Sequence, residues 1–425
     1  MSGNDTIAAL ATAPGEAGIA IIRVSGPETY AIADAIFRGR GEPPSRRRPF
    51  TFAHGRIIDD QGHSIDDVLM LFMRAPRSYT GEDQVEIHGH GGSISSRRLL
   101  RRVLEAGARL AEPGEFTRRA FLNDRMDLVQ AEAVLDLIKA RSERAAKAAV
   151  DQLEGNISSL LSSIYDYSIA LNADLEATMD FPEDELPEAV MEEILGRLEA
   201  VRQRTTALLE TWSEGRLLRE GALVVIAGQP NVGKSTLMNA LLGQSRAIVS
   251  DTPGTTRDTI EEGYVLNGIP LRLVDTAGLR DTACDIEREG IRRSRDHLQK
   301  ADLTIYLLDA TQGITPEDED NLKRLDPVKT LVVWNKMDLV AFDEDKFRGI
   351  EAAYAELCTQ FSFKSVTPIP LSALQGDNVI KRSRQTPWYQ GPTLLGFLET
   401  VDLKLKQAEA LRFPVAGWPG RRRSP

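Results

Sequence analysis

The sequence predicts an α/β protein in three parts: an α+β domain, an α-helical domain and a domain built around a phosphate-binding loop. Glycine-punctuated apolar runs such as "GIAIIRVSG" and "DQVEIHGHGG" fill residues 1–118 and are typical of short strands joined by turns. Residues 120–215 are instead rich in Ala, Leu and paired charges, which favours long helices. Residues 222–243 then read "ALVVIAGQPNVGKSTLMNALLG", which has the strand, glycine loop and helix of a P-loop in order.

The composition excludes several classes of protein. The 425 residues are enough for roughly two to four domains, and 42% hydrophobic with 27% charged residues is ordinary for a globular protein. No apolar run approaches the ~18 residues of a membrane helix, and no basic segment precedes the first apolar one, so we expect neither a membrane span nor a signal peptide. Two cysteines, Cys284 and Cys358, cannot form a disulfide framework, which indicates a reducing, cytoplasmic compartment. A net charge of −11 argues against nucleic-acid binding by bulk charge and leaves room for a local basic patch.

The first two domains are placed by pattern. We assign residues 1–119 to the α+β domain and residues 120–217 to the helical domain. Gly155 is the one strong helix breaker within residues 127–181, and a Pro-containing linker follows at 182–187. His88 and His90 are a weak metal signal without a third ligand. We favour the alternative, a glycine-rich bend that lets another group approach the backbone.

The P-loop carries the sharpest chemistry. Residues 228–235 fit the pattern G-x-x-x-x-G-K-[ST], after a β-branched run and before apolar residues at helical spacing. The glycines let backbone N–H groups close around phosphates, and the N-terminus of the helix faces the negative charge. We expect Lys234 to reach the β- and γ-phosphates and the Ser235 hydroxyl to coordinate Mg²⁺.

Two further segments have the order expected of nucleotide switches. The threonine-rich "SDTPGTTRD" at 250–258 suits a loop that supplies a threonine to Mg²⁺, and we favour Thr256 over Thr255. In "LRLVDTAG", a strand ends in Asp275, which can hold Mg²⁺ through water. Gly278 can donate its N–H to the γ-phosphate and move when that phosphate leaves.

A fourth segment selects the base. "TLVVWNKMD" delivers Asn335, Lys336 and Asp338 at the end of a strand. The Asp338 carboxylate can accept hydrogen bonds from N1–H and the 2-amino group of guanine, a pair that adenine lacks, so GTP is expected over ATP. The reaction is GTP hydrolysis. No glutamine follows "DTAG", and Glu287 is a candidate to orient water, with a solvated glutamate as the alternative.

The chain resembles the tRNA modification GTPase MnmE (TrmE) family from residue 4 to about 302. The resemblance rests on "NDTIAALATAPGEAGIAIIRVSG", "SYTGEDQVEIHGHGG", "PGEFTRRAFLNDRMDLVQAEAV", "MDFPEDEL", "AIVSDTPGTTRDTIEE" and "VDTAGLRDTACDIEREGI". It implies an N-terminal tetrahydrofolate-binding domain that forms a homodimer, a helical domain, and a G domain inserted into the helical domain. It also implies that the chain acts with an FAD-dependent MnmG-type partner. Together they add an aminomethyl or carboxymethylaminomethyl group to C5 of the wobble uridine of certain tRNAs.

The resemblance also implies ligands for particular residues. Arg23, Glu86 and Arg125 match folate-binding positions for a 5,10-methylene or 5-formyl tetrahydrofolate, although lysine is common where Arg125 stands and the exchange is not geometrically neutral. Glu287 matches the catalytic glutamate. A potassium site, where K⁺ takes the place of an arginine finger, is matched by Asn231, Ser250, Thr252 and Thr255. The expected GTP contacts are Asn231, Val232, Gly233, Lys234, Ser235, Thr236, Ser250, Asp251, Thr252, Pro253, Gly254, Thr255, Thr256, Asp275, Thr276, Ala277, Gly278, Asn335, Lys336 and Asp338.

The C-terminal third departs from this family. The family returns there to the helical domain and ends in a Cys-x-Gly-Lys tail, whereas this sequence has no cysteine after Cys358. Residues 335–415 instead resemble the GTPase subunit of sulfate adenylyltransferase. The sequence is therefore interpreted as a chimera, with a G domain over 218–380 whose last part is of foreign lineage and an atypical, partly disordered tail over 381–425.

Two other functions remain open from the sequence. One is a regulatory GTPase of sulfate activation, which draws on about 90 residues and is opposed by the folate-like N-terminal domain. The other is a GTP-binding protein without modification activity, because the foreign segment has to pack against residues 223–302. The helical domain also loses its second half, which leaves an apolar stripe exposed or covered by dimerisation.

Overall fold

The computed structural model describes residues 5–180, 188–242, 262–275, 297–326, 329–358 and 368–400. The chain divides into two compact units, one formed by residues 1–139 and 149–198 and the other by residues 140–148 and 199–425. Each unit has a hydrophobic core of its own. The predicted mixed α/β class is confirmed.

The first unit is built on a seven-stranded sheet. Its strands are β1 (Ile7–Leu10), β2 (Ile19–Ser25), β3 (Phe37–Gly39), β4 (Thr51–Ile58), β5 (Ser64–Met73), β6 (Gln84–His90) and β7 (Arg109–Leu110). Their order across the sheet is β3-β4-β5-β6-β2-β1-β7, and every pair is antiparallel except β1 with β7. Helices α1 (Thr29–Ile36) and α2 (Ser93–Glu105) pack their apolar side chains into the core of this sheet.

Alternation along the strands leaves the opposite face of the sheet open. On β4, Ala53 and Ile57 are buried, whereas Phe52 and His54 on either side of Ala53 are exposed. Successive side chains on a strand point to opposite faces, so the exposed residues of β4 share the face of the sheet away from the core. Phe52 is 56% exposed and Leu69 on β5 is 46% exposed.

The predicted helical region contains several helices rather than one rod. They are α3 (Glu115–Leu122), α4 (Leu128–Lys139), α5 (Glu143–Leu153), α6 (Asn156–Asp180) and α7 (Glu188–Glu220). Gly155 adopts a φ of +86° between α5 and α6, a left-handed conformation that ends a helix at low cost only for glycine. None of the described helices combines the length and the hydropathy needed to cross a membrane.

The second unit is a five-stranded sheet with helices. Its strands are β8 (Ala222–Gly228), β9 (Glu262–Leu266), β10 (Ile269–Asp275), β11 (Leu303–Asp309) and β12 (Thr330–Asn335), in the order β12-β11-β8-β10-β9. Only the edge strand β9 runs antiparallel to its neighbour. The helices are α8 (Lys234–Leu242), α9 (Pro316–Leu322), α10 (Glu344–Cys358) and α11 (Leu394–Thr400). The almost wholly buried β8 and β11 explain why the sequence shows continuous apolar runs there.

Residues 368–400 pack into the core of this second unit. The Leu371 amide donates to the Trp334 carbonyl at 3.1 Å, and a parallel bridge joins Trp334 to Pro370, which extends the sheet beyond β12. Leu394 in α11 is fully buried in the same core as Ile226 of β8. The segment that the sequence assigns to a foreign lineage therefore shares one core with the P-loop strand.

Candidate functional site

The P-loop connects the end of β8 to the start of α8, and its backbone requires glycine at two positions. Gly228 has a φ of +139°, and a Cβ there would lie 2.5 Å from the Leu307 carbonyl oxygen of the adjacent strand β11. Gly233 has a φ of +101°, and a Cβ there would clash with the side-chain amide nitrogen of Asn335. Asn231 also has a positive φ, of +61°, which asparagine tolerates better than most residues. Positive φ angles at these positions are typical of a loop whose backbone amides bind an anion.

Lys234 is the first residue of α8 and only 5% exposed. Its Nζ donates to the carbonyl oxygens of Gly228 at 3.0 Å and Gln229 at 2.7 Å. These hydrogen bonds hold the ammonium group within the loop, at the N-terminus of the helix. Its positive charge and the helix dipole both favour a phosphate at this position. Ser235, the next residue, is exposed.

The edge of the sheet brings Asp275 to the same end of the molecule as the P-loop. Asp275 ends β10 and is aligned with Ile226 of the parallel strand β8. Only its backbone is described. The remaining switch residues fall outside the described residues: Ser250, Asp251, Thr252, Pro253, Gly254, Thr255, Thr256, Thr276, Ala277, Gly278 and Glu287.

Asn335 links the P-loop to the C-terminal segment. Its side chain is buried, with Nδ2 donating to the Val232 carbonyl at 2.7 Å and Oδ1 accepting from the Ala373 amide at 2.9 Å. Both polar atoms of the amide are therefore engaged, as a buried polar group requires. Asn335 thus fixes the distance between the phosphate loop and residues 372–374, a structural role that the N-K-x-D pattern alone does not predict.

Lys336 adopts a φ of +66° and pairs with Asp309 at the end of β11, with Nζ 2.7 Å from Oδ2. Burial raises the pKa of the Asp309 carboxyl, but hydrogen bonds from Lys336 and Thr311 outweigh it and hold the pKa below its ordinary value. Asp309 was not among the sequence-predicted site residues. Its position at the carboxyl end of a parallel strand, where ligands of α/β sheets bind, was the available signal.

Asp338 lies on a single 3₁₀ turn (Met337–Val340) directly after this pair. It is half-buried, and its carboxylate forms no hydrogen bond with a residue that the structure describes. Both carboxylate oxygens are therefore available as acceptors beside the frame set by Asn335 and Lys336. Such a bare pair of acceptors is suited to two adjacent N–H donors on one edge of a base.

The described residues contain no cluster of three or more His, Cys, Asp or Glu side chains that could hold a metal ion. A magnesium ion at the P-loop would instead rely on the Ser235 hydroxyl, backbone-positioned Asp275 and the phosphates themselves. Oxygen donors of this kind suit Mg²⁺, which keeps several waters and takes few protein ligands.

In the first unit, His88 and His90 lie on a regular strand, β6, rather than in the glycine-rich bend that the sequence suggested. Both residues pair in register with β2, so the chain bends only after them, at Gly92. The predicted close approach to the backbone is confirmed, because a Cβ on Gly89 would lie 2.7 Å from Oδ2 of Asp66.

Arg23 and Glu86 form an ion pair in the first unit. They are directly opposite each other on β2 and β6, with Nε 2.9 Å from Oε1. The Arg23 guanidinium also lies 5.0 Å from the centroid of the Tyr79 ring and 5.6 Å from that of Phe116. An aromatic surface next to a fixed charge pair is a suitable wall for a planar heterocycle.

Arg125 lies at a cavity of about 430 Å³. Its Nε donates to the Ser78 carbonyl at 3.1 Å. The residues that line this cavity are Phe50, Met73, Arg77, Ser78, Tyr79 and Arg125. Tyr79 thus contacts Arg23 and also lines the cavity with Arg125, so it connects two of the three residues that the sequence assigned to folate. Sequence reasoning did not select Tyr79, although it stands in the "SYTGEDQ" motif.

Comparisons with known proteins agree with these two regions. The family description "GTP-binding protein TrmE N-terminus" matches residues 6–125, and "50S ribosome-binding GTPase" matches residues 223–336. A relative named tRNA modification GTPase MnmE, from Moorella thermoacetica, is 49% identical over 385 residues, which are 90% of this chain and 81% of that protein. The protein of the same name from Heliobacterium modesticaldum is 49% identical over 350 residues, 81% of this chain and 75% of that protein. Among solved structures, an Aquifex aeolicus Era variant bound to GDP·AlF4⁻ is 30% identical over 37% of this chain and 52% of that chain, with a TM-score of 0.29.

A P-loop with a buried lysine, next to an N-K-x-D strand end that leaves one aspartate free, defines a P-loop GTPase. The N-terminal match and the 49% identity over most of the chain then identify one family among the P-loop GTPases. The chain belongs to the tRNA modification GTPase MnmE family.

Proposed function

We propose that this chain hydrolyses GTP and that the hydrolysis serves the modification of tRNA. The observation that carries the proposal is the 49% identity to the Moorella thermoacetica protein over 385 residues, which includes both matched domains. In the proposed reaction the chain acts in the cytoplasm with an FAD-dependent MnmG-type partner. The product is an aminomethyl or carboxymethylaminomethyl group on C5 of the wobble uridine.

The P-loop performs the binding step. Lys234 and the loop amides neutralise the β- and γ-phosphates, and Ser235 together with Thr256 holds Mg²⁺, which withdraws charge from the phosphate oxygens when it is bound. Asn335 keeps the P-loop at a fixed distance from the base site, and Asp338 accepts from N1–H and the 2-amino group of guanine. Glu287 orients the attacking water.

The proposal includes a potassium ion in the position of an arginine finger. Its ligands are Asn231, Ser250, Thr252 and Thr255. Asn231 supports the proposal because it is an exposed residue of the P-loop with a side-chain oxygen, a ligand type that suits a monovalent cation. A fixed positive charge at this point stabilises the charge that develops on the transferred phosphoryl group.

We also propose that the first unit binds a tetrahydrofolate derivative, either 5,10-methylene or 5-formyl. The donor set fits this ligand. Glu86 and Arg23 offer paired acceptor and donor atoms for a pterin edge, Tyr79 offers a ring face, and Arg125 offers a cation for the glutamate carboxylates. The cavity of about 430 Å³ beside Arg125 is within the range of small-molecule sites. Folate supplies the one-carbon unit of the reaction.

A homodimer through the first unit is part of the same proposal. The open face of its sheet carries large exposed apolar side chains, with Ile19 61%, Phe52 56% and Leu69 46% exposed. Phe52 and Leu69 lie on the neighbouring strands β4 and β5, and Ile19 lies on β2, on the far side of β6. Large exposed apolar side chains on one face of a domain are typical of a protein–protein interface.

We propose, finally, that residues 335–415 derive from a different GTPase lineage without loss of the guanine site. The support is that Asn335 accepts its hydrogen bond from Ala373, inside that segment, while donating to Val232 of the P-loop. The alternative of a regulatory GTPase of sulfate activation has no observation in its favour beyond the likeness of this segment.

The test is GTP hydrolysis by the full chain in potassium and in sodium buffers. We expect turnover to be at least about tenfold faster in potassium, because a cation in the arginine-finger position neutralises transition-state charge. Lys234→Ala is the control and removes turnover in both buffers. A chain that binds no GTP, or that hydrolyses it equally in both salts, contradicts the proposal. The modification step is checked by mass spectrometry of tRNA nucleosides after incubation with an FAD-dependent partner and a folate one-carbon donor.

A further inference from the structure

Five arginines follow α1 within residues 38–48, "RGRGEPPSRRR", which we call the arginine loop. The segment contains a single acidic residue, Glu42. None of the five arginines forms an ion pair with a residue that the structure describes. Eight other arginines of the same unit do: Arg23, Arg56, Arg74, Arg102, Arg109, Arg118, Arg119 and Arg197. Arg97, Arg98 and Arg101 of α2 also lack a described ion-pair partner, but only the arginine loop places five such charges within eleven consecutive residues.

The backbone of the arginine loop is fixed by hydrogen bonds. The Ser45 amide donates to Oδ1 of Asp34 at 3.0 Å, and the Ser45 carbonyl accepts from Nη2 of Arg74 at 2.6 Å. Nη2 of Arg47 donates to the Arg40 carbonyl, also at 2.6 Å, which joins the two ends of the loop. Asp34, the nearest carboxylate on α1, is thus used to hold the backbone and does not neutralise an arginine.

Three arginine side chains of the loop remain available. Arg40, Arg46 and Arg48 are exposed. Arg38 is exposed too, and it lies directly opposite Arg56 at the edge of the sheet, where two like charges across a strand pair are unfavourable. An anion placed over this edge relieves that repulsion. A rigid backbone that presents several free guanidinium groups loses little conformational entropy when it binds a polyanion.

We propose that the arginine loop binds the phosphate backbone of tRNA. The inference rests on the proposed function, because that function supplies the polyanion. Guanidinium groups match phosphate oxygens in pairs, and phosphate contacts position an RNA without reading its sequence. The chain carries a net charge of −11, so contact with RNA depends on a local basic segment rather than on bulk charge.

The test compares two triple variants of the full chain by fluorescence anisotropy with labelled tRNA at several KCl concentrations. Arg40→Gln/Arg46→Gln/Arg48→Gln removes three unpaired loop charges. Arg118→Gln/Arg202→Gln/Arg348→Gln is the matched control, since it changes the net charge equally but at exposed arginines that are ion-paired. We expect the loop variant to bind tRNA about 10- to 100-fold more weakly at low salt and to lose about two to three units from the slope of log K against log[salt]. The control should stay within about threefold of the unaltered chain.

Each outcome decides the proposal. Equal binding by the two variants overturns it and leaves the proposed function intact. An unaltered chain that hydrolyses GTP but binds no tRNA at any salt overturns the RNA step of the proposed function and this inference with it. A loop variant that keeps tRNA affinity but changes its self-association by light scattering shows that the loop contacts a second copy, which also overturns the proposal. GTP hydrolysis without RNA should be unchanged in both variants, because neither touches the nucleotide site, and this serves as the check of folding.

Discussion

The three residues of the guanine site have different roles: two hold the site together and one recognises the base. Asn335 uses both polar atoms of its side chain within the protein, and Lys336 is paired with Asp309. Asp338 is different, because its carboxylate forms no hydrogen bond with a described residue. The first two residues therefore build a frame, and the third is free to distinguish one base from another.

This division predicts that Asp338→Asn exchanges the base specificity. An asparagine amide cannot accept from both N1–H and the 2-amino group of guanine, so GTP affinity should fall about 10²-fold or more. Xanthosine triphosphate has a carbonyl in place of the 2-amino group, and the asparagine NH₂ can donate to it, so hydrolysis should return with that nucleotide. Asp320→Asn is the matched control, on an exposed carboxylate of α9. The assigned role is contradicted if Asp338→Asn hydrolyses neither GTP nor xanthosine triphosphate, or if its affinity for GTP does not fall.

A buried ionic cluster in the first unit makes its stability depend on pH. The Glu115 side chain is 2% exposed and lies 2.8 Å from Nη2 of Arg109 and 3.1 Å from Nη2 of Arg119. Hydrogen bonds from Arg109 lower the pKa of the Glu115 carboxyl most, and burial opposes them. Hydrogen bonds from the Glu112 amide and Arg119 lower it further, so the pKa is about 2, below its ordinary value of 4.5. A carboxyl whose folded pKa is lowered stabilises the fold above its unfolded pKa and loses that contribution as pH falls through its folded pKa.

We therefore expect Glu115→Gln to lower the free energy of unfolding by about 3 kcal/mol at pH 7. The difference from the unaltered chain should shrink as pH falls from about 4.5 towards about 2, as followed by urea denaturation at each pH. Glu112→Gln, three residues away and 65% exposed, should change stability by less than about 0.5 kcal/mol. A difference that stays constant over this pH range would show that packing, rather than ionisation, sets the effect.

At the scale of elements, the β9–β10 hairpin of the second unit is held at its turn by the start of α5. Asn267 and Gly268 have φ angles of +49° and +80°, as a tight hairpin turn requires. The Ser142 hydroxyl donates to the Gly268 carbonyl at 2.5 Å, and Nη1 of Arg144 donates to the Asn267 carbonyl at 3.1 Å. Arg144 also pairs with Glu214 of α7. We call these contacts of Ser142 and Arg144 with the turn the clasp. The far ends of both strands lead into the two predicted switch segments, so the clasp anchors the part of the sheet that lies between those segments.

The clasp predicts that Gly268→Ala is more destabilising than its conformation alone explains. A Cβ at Gly268 would collide with the side chain of Arg144, which lies against the turn. Gly313→Ala is the control, because Gly313 has a similar φ of +71° and no atom within 4 Å of the added Cβ. We expect a cost of about 1 kcal/mol for Gly313→Ala from backbone strain, and about 1 to 2 kcal/mol more for Gly268→Ala. Equal costs in urea denaturation would mean that Arg144 moves aside freely and clasps nothing.

For the whole molecule, the sequence predicts what is encoded locally. The P-loop follows from contiguous residues, because Gly228, Gly233 and Lys234 act within one turn of chain and one helix end. The hydrogen bond from Asn335 to Val232 joins residues far apart in sequence, and the "NKMD" motif does not predict it. The position of Tyr79 between Arg23 and the cavity likewise depends on how β2 and a distant loop meet. These contacts depend on tertiary packing, which local pattern and propensity do not encode.

The same limit applies to the C-terminal segment, because its local pattern does not predict that it shares a core with the P-loop strand. Leu394 of α11 is fully buried among β8, α8 and β10 residues, and its amide donates to the Asn378 carbonyl at 2.8 Å. Asn378 in turn is fully buried, with Nδ2 donating to the Pro370 carbonyl at 2.7 Å and Oδ1 accepting from the Ser383 amide at 2.8 Å. A buried amide with its hydrogen bonds satisfied fixes one arrangement of the segment against the sheet.

If this segment is integral to the nucleotide-binding unit, a cavity in it should weaken GTP binding as well as stability. Leu394→Ala should lower the free energy of unfolding by about 2 to 5 kcal/mol, since a buried leucine leaves both lost burial and an unfilled space. Leu374→Ala is the matched control in the same segment, because Leu374 is 78% exposed, and it should change stability by less than about 0.5 kcal/mol. GTP titration monitored by a fluorescent analogue should show weaker binding for Leu394→Ala only, because strain in the core reaches Asn335 through the Ala373 amide. If Leu394→Ala is as stable as Leu374→Ala, residues 368–400 form an appendage, and the unit that binds GTP is complete without them.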